Sequence, residues 1–321
     1  MPWDILMVAV GLGLLLLAGD ALVKGAVNLS LRLGIPAAIV GLTVVAFGTS
    51  APELLVSVQA VLADAPALAL GNVVGSNIAN ILLVLGVPAL IAAVPVVRAQ
   101  VTHDYVVMIL ASLLFVGLAF MGPIGWPQAL LLLGALALML GDALRRARTQ
   151  RVARADPDTL DGADPGLGGG RIALYVGIGL VGLPAGAALL VDGAVGIARI
   201  LGVTEAVIGL TLVAVGTSLP ELATTVMAAL RREAGVAMGN VLGSNIFNLL
   251  AIIGVAGLVG TLPVPPEMLT RDLWVMLGAA AVLGVFVATG RSIGRWSGLG
   301  LVLAYGAYLA LLTMNAGGGA A

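Results

Sequence analysis

Residues Gly41-Leu-Thr-Val-Val-Ala-Phe-Gly-Thr-Ser-Ala-Pro-Glu53 return 168 positions later as Gly209-Leu-Thr-Leu-Val-Ala-Val-Gly-Thr-Ser-Leu-Pro-Glu221. At the same offset, Gly71-Asn-Val-Val-Gly-Ser-Asn-Ile-Ala-Asn80 returns as Gly239-Asn-Val-Leu-Gly-Ser-Asn-Ile-Phe-Asn248. Between Gly41–Gly86 and Gly209–Gly254, 25 of 46 gap-free positions are identical, which marks a duplicated unit and not a chance pair of motifs. Each copy sets a carboxylate, Glu53 or Glu221, inside an otherwise apolar segment. The fold and the function both turn on how that carboxylate is tolerated.

The surroundings are apolar throughout. Sixty per cent of the residues are hydrophobic, 10% are charged and the mean hydropathy is +1.15, whereas a soluble domain carries about 25% charged residues. Apolar runs of the roughly 20 residues needed to cross about 30 Å of hydrocarbon recur along the chain. They fall near 5–33, 36–62, 67–93, 102–121, 125–143, 171–200, 204–230, 235–260, 271–289 and 293–313. The sequence therefore reads as an all-α integral membrane protein of ten transmembrane helices in the cell (inner) membrane. The first span lacks a basic leader and a small-residue cleavage pattern, so it is expected to be a retained helix. No cysteine is present, which excludes disulfides and thiolate metal sites.

The polar stretch Arg145–Arg171 carries Arg145, Arg146, Arg148, Arg151 and Arg154, then Asp156, Asp158, Asp161 and Asp164. It reads as a solvated connector, with contact to anionic lipid as the alternative. The domains are then a five-helix half at 1–143, a cytoplasmic linker at 144–170 and a second five-helix half at 171–321. With the linker inside, Arg32, Arg98, Arg231, Arg232, Arg291 and Arg295 also fall inside, Arg199 and Arg271 do not, and both termini lie outside.

The repeat extends upstream, because Leu22-Val-Lys-Gly-Ala-Val27 matches Leu190-Val-Asp-Gly-Ala-Val195 at the same offset. Five crossings separate the starts of the two units. That number is odd, so the copies enter the bilayer from opposite sides, as two inverted-topology five-helix repeats. Inverted repeats in secondary transporters bring equivalent, interrupted helices together at the membrane midplane.

Pro52 and Pro220 deprive the Gly48 and Gly216 carbonyls of their helical partners, beside Thr49 and Ser50 in one copy and Thr217 and Ser218 in the other. Glu53 and Glu221 follow directly. A charged carboxylate at the bilayer centre costs about 2.5–3.5 kcal/mol on insertion scales. No Lys, Arg or His lies near either one in its own helix, and the only histidine, His103, is by a span end. The counter-charge is then a transported cation or protons. Helical spacing puts Ser76 with Asn80, and Ser244 with Asn248, on one face with Asn72 or Asn240 a turn earlier, while Asn77 and Asn245 point elsewhere and are expected to bond across helices. Carboxylates, hydroxyls, amides and carbonyls form an all-oxygen set suited to calcium or sodium. A lone Gly-Ser-Asn pattern serves helix packing as readily; two copies, each joined to Thr-Ser-x-Pro-Glu, argue for a site. Asp20 and Lys24 are expected to pair with each other at i,i+4, and Asp64, Glu233 and Glu267 to face water.

At these residues the chain resembles the calcium/cation antiporter superfamily, and most closely the prokaryotic sodium/calcium exchangers, whose two alpha-repeats carry G-T-S-x-P-E and G-x-x-x-G-S-N-x-x-N/D. The resemblance covers residues 22–86 and 190–254. It implies four adjacent sites around a central calcium position, with Glu53 and Glu221 as the principal calcium ligands and Thr49 and Thr217 lending backbone carbonyls. Ser50, Ser76, Ser218 and Ser244 would complete sodium sites, with Asn80 and Asn248 bordering the centre. Several sodium/calcium exchangers have aspartate where this chain has Asn248, so the cage has one fewer ionisable group. That difference leaves sodium and proton coupling both open and speaks against a potassium-dependent exchanger.

The expected function is calcium-for-sodium antiport by alternating access, with the glycine-rich first and sixth spans sliding against the motif bundle. Proton-coupled exchange and a passive cation channel are the alternatives. Enzyme chemistry is not expected, since no Ser/His pair, His cluster or nucleotide loop is present. The expected partners are calcium, sodium and membrane lipid, with no cofactor and no nucleic acid; the sequence does not fix an oligomeric state.

Overall fold

The computed structural model describes residues 1–149, 164, 166–202 and 214–318. Expectations for 150–163, 165, 203–213 and 319–321, including Arg151, Arg154, Asp156, Asp158, Asp161 and the Gly209–Val213 part of the second motif, lie outside the described residues. Among the described residues the protein is all helix, with two isolated bridges, Val94 to Ile293 and Ile124 to Leu262.

In chain order the helices are α1 Pro2–Leu33, α2 Ala37–Thr49, α3 Ala51–Leu62, α4 Pro66–Ile91, α5 Arg98–Phe120, α6 Trp126–Thr149, α7 Gly169–Ile200, α8 Ala214–Thr217, α9 Leu219–Leu230, α10 Ala234–Val259, α11 Met268–Thr289 and α12 Arg295–Gly318. Among the described residues eight are long and apolar enough to cross a membrane, and α2 and α3 pass the same test as a pair bent by 42° at the break between them. The chain is thus a multi-pass membrane protein. One boundary differs from expectation. The fifth span continues helically to Thr149, into the assigned linker, because Arg146 pairs with Asp142 one turn back at 2.9 Å and with buried Asp104 on α5 at 2.7 Å.

Burial sorts the helices. In α4 and α10 72% and 83% of the most apolar window is buried, against 22–28% in α1, α6, α7 and α12. The two Gly-Ser-Asn helices are therefore the centre of the bundle, and large side chains such as Leu17, Leu138 and Trp296 face outward, as lipid-solvated surface requires.

The long helices α1 and α7 lie antiparallel, with Gly25 against Val176, Gly179 against Leu22, Gly11 against Leu190 and Gly193 against Val8. A Cβ on Gly11 would sit 2.6 Å from the Leu190 amide nitrogen, and one on Gly186 would sit 2.9 Å from that of Leu15. Small residues let backbones approach where lipid offers no hydrophobic drive for association.

Two expectations about charges are corrected. Asp20 pairs with Arg231 at 2.6 Å, not with Lys24, whose ammonium stands 4.9 Å from the centre of the Tyr175 ring. A tertiary partner outcompetes the i,i+4 neighbour because α9 brings its guanidinium onto α1. Glu233, expected in water, is buried at the turn into α10, whereas Asp64 and Glu267 are exposed.

Replacing Gly11 or Gly186 with Val should wedge α1 from α7. The expected loss is about 1–3 kcal/mol, visible as a lower thermal unfolding midpoint in detergent, while Gly13→Val, whose position has no neighbour within 4 Å, should change little.

Candidate functional site

Both motif spans break at the same place. In one, α2 ends at Thr49 and α3 begins at Ala51, with Ser50 at φ −83°, ψ 3°; in the other, Ser218 adopts φ −88°, ψ 4° between α8 and α9. Pro52 and Pro220 occupy the second position of the restarted helices, where a missing N–H costs nothing. Glu53 and Glu221 therefore sit in the first turn of α3 and α9, at the positive end of each helix dipole, which favours an anion.

Asn72 and Asn240 brace the breaks. Asn72 Nδ2 donates to the Glu53 carbonyl at 3.2 Å and to Ser57 Oγ at 3.0 Å, and its Oδ1 accepts from Thr217 Oγ1 at 3.4 Å. Asn240 Nδ2 donates to the Glu221 carbonyl at 3.3 Å and to Thr225 Oγ1 at 3.1 Å, and its Oδ1 accepts from Thr49 Oγ1 at 3.1 Å. Each asparagine ties the broken helix of its own copy to the threonine of the other. These bonds give Asn72 and Asn240 a structural task at the two breaks. Ser57 and Thr225 were not anticipated; their signal was a hydroxyl one turn after each glutamate at the common offset.

Glu53 and Glu221 are fully buried and lie within electrostatic range of each other. Ser50 Oγ donates to Glu221 Oε1 at 3.2 Å, which carries one copy's break to the other copy's acid. Thr49 Oγ1 also stands 3.4 Å from Ser244 Oγ. Among the described residues, both Glu53 oxygens, Glu221 Oε2, Ser76 Oγ, Ser218 Oγ, Asn80 Oδ1 and Asn248 Oδ1 are buried with no hydrogen-bond partner. Orphaned buried oxygens are rare, and here they belong to the residues singled out in sequence. Asn77 and Asn245 bond across α4 and α10, as expected. Among the described residues no salt bridge reaches either glutamate. Nor do three or more His, Cys, Asp or Glu side chains gather. The set offers two carboxyl groups and several neutral oxygens, which is a hard-cation donor set.

Asn72→Leu and Asn240→Leu should each destabilise the protein by about 1–3 kcal/mol through the polar groups they strand. Thermal unfolding in detergent should show the two losses to be similar, because the bonding patterns are equivalent.

Comparison with known proteins agrees with this geometry. The family model described as sodium/calcium exchanger protein matches residues 3–141 and 171–314. The putative antiporter CaxA of Alkalimonas amylolytica is 37% identical, over 95% of this chain and 97% of its own. The sodium/calcium exchanger MaX1 of Methanosarcina acetivorans is 33% identical over 96% and 98%, and the inner membrane protein YrbG of Escherichia coli is 34% identical over 95% and 94%. The solved structure of the sodium-calcium exchanger NCX_Mj soaked with 10 mM Na+ and zero Ca2+ superposes with a TM-score of 0.78 at 32% identity, covering 96% of this chain and 98% of that one. With its paired broken helices and its buried acids, the chain belongs to the sodium/calcium exchanger protein family of membrane ion transporters.

Proposed function

We propose that the protein is a secondary antiporter that exchanges calcium for sodium across the membrane, with Glu53 and Glu221 as the principal calcium ligands. The observation that carries this is the pair of fully buried carboxylates whose oxygens, save one, have no hydrogen-bond partner among the described residues. A charge moved out of water needs a counter-charge, and a mobile cation supplies it. Ser50, Ser76, Ser218 and Ser244 complete sodium positions around the centre, Asn80 and Asn248 border it with amide oxygens, and Thr49 and Thr217 add carbonyls at the helix breaks. Calcium and sodium take turns in this cage.

The same reading makes the fold ten spans in two inverted five-helix halves, residues 1–143 and 171–321, joined by a cytoplasmic linker at 144–170. Its support is the exchange of roles between positions 168 apart: Asn72 and Asn240, Thr49 and Thr217, Met108 and Met276. The helices α1 and α7 are the moving pair. They pack on each other through glycines, and α7 places Leu180 against Gly48 and Val191 against Gly216, over both breaks. An empty cage bearing about two negative charges crosses poorly, which couples the two fluxes.

In proteoliposomes, an outward sodium gradient should drive calcium uptake, and Glu53→Gln or Glu221→Gln should cut it by about 100-fold or more, since each variant removes a ligand charge the cargo requires. Full uptake in either variant contradicts the assignment. Uptake driven by a pH jump without sodium would assign protons as the coupling ion, and flux independent of any counter-ion would indicate a channel.

Calcium should also raise the thermal unfolding midpoint of the wild type by mass action and leave Glu53→Gln/Glu221→Gln unmoved. A scan with and without calcium reads this directly.

A further inference from the structure

We propose that Asn77 and Asn245 are positioning residues: with the sulfurs of Met108 and Met276 behind them, they turn the Oδ1 atoms of Asn80 and Asn248 into the cage and hold them there. This rests on the reading of the cage as the ion site and accounts for how its neutral ligands acquire their orientation. An asparagine amide has two ends of nearly equal size and opposite character, and only the oxygen end serves a cation. Some other contact must therefore choose the end.

The choice begins at atoms that can only accept. Asn245 Nδ2 faces Met108 Sδ at 3.5 Å, and Asn77 Nδ2 faces both the Asn245 backbone carbonyl at 3.4 Å and Met276 Sδ at 3.9 Å. A thioether or a carbonyl has no hydrogen to give, so the amino ends of Asn77 and Asn245 point at them and the oxygen ends point away. Asn245 Oδ1 then accepts from Asn80 Nδ2 at 3.1 Å, and Asn77 Oδ1 accepts from Asn248 Nδ2 at 3.1 Å. The amino ends of Asn80 and Asn248 are thereby occupied. Their Oδ1 atoms are the ones left buried without a partner.

Reversing Asn80 would set its oxygen against Asn245 Oδ1 and present an amino group to the proposed cage where an oxygen is wanted. That donor would compete with a cation for the acids. All six residues fall into pairs 168 apart, and each half orients the ligand amide of the other. The positioning is therefore a property of the repeat interface, and Met108 and Met276 extend the repeat into α5 and α11.

The test is a double-mutant cycle on calcium uptake by proteoliposomes. Asn245→Leu keeps the branched four-atom side chain and removes the acceptor for Asn80. It should raise the calcium KM about tenfold, the equivalent of one net hydrogen bond, with Vmax within about twofold. On an Asn80→Ala background, which has no amide left to orient, Asn245→Leu should raise KM no further. The mirror cycle, Asn77→Leu with Asn248→Ala, should behave alike, and the milder Met108→Leu should raise KM about threefold if a leucine at 245 or 77 prevents insertion. An unchanged KM, or losses that multiply across the cycle as independent packing defects do, overturns the proposal. Absence of sodium-driven uptake in the wild type would instead strike the proposed function.

Discussion

The described residues are arranged around two carboxylates that have lost water and have gained no fixed positive partner among them. Glu53 and Glu221 are fully buried, and Ser50 Oγ donates to the Glu221 carboxylate. An isolated buried charge is expensive in any protein interior, and this pair adds mutual repulsion. The helix breaks answer part of that cost, because each acid stands at the start of a restarted helix, where free amides favour a negative charge. On the proposed function a cation meets the remainder, so that ion binding and the stability of the occupied bundle are one energetic event.

The same constraint explains the division of labour among the polar residues. Asn72 and Asn240 spend their hydrogen bonds on helix carbonyls, a hydroxyl of the same copy and a threonine of the opposite copy, so that the breaks are rigid. Asn77 and Asn245 spend theirs on the neighbouring amides and on sulfur. Among the described residues of these helices, the oxygens left without a hydrogen bond then include those of Ser76, Ser218, Asn80, Asn248, Glu53 and Glu221. Buried polar groups are normally satisfied; here the structure satisfies the supporting groups and leaves the converging ones open.

Much of this was legible in the sequence because a duplication doubles every signal. A mid-span Pro-Glu and a Gly-Ser-Asn are each ambiguous alone, and their return at a fixed offset singles out Thr49, Ser50, Glu53, Ser76 and Asn80 and their counterparts as candidates. The spacing of Asn77 from Asn80 was enough to place Asn77 off the cage face. What the sequence hid was tertiary. Nothing local indicates that Arg231 reaches Asp20, that Arg146 prolongs α6 by pairing with Asp104, or that Glu233 is buried, since each depends on the crossing of helices distant in the chain. Met108 and Met276 escaped notice because a methionine in an apolar helix looks like packing until its sulfur is seen beside an amide.

The central claim is that a mobile cation is the missing counter-charge of the two acids, and calorimetric titration of the purified protein tests it most directly. In sodium-free buffer the account expects one calcium to bind per chain, sodium to displace it, and Glu53→Gln/Glu221→Gln to show no calcium heat. Calcium binding that survives the loss of both carboxylates, or no binding to the folded wild type, would contradict it.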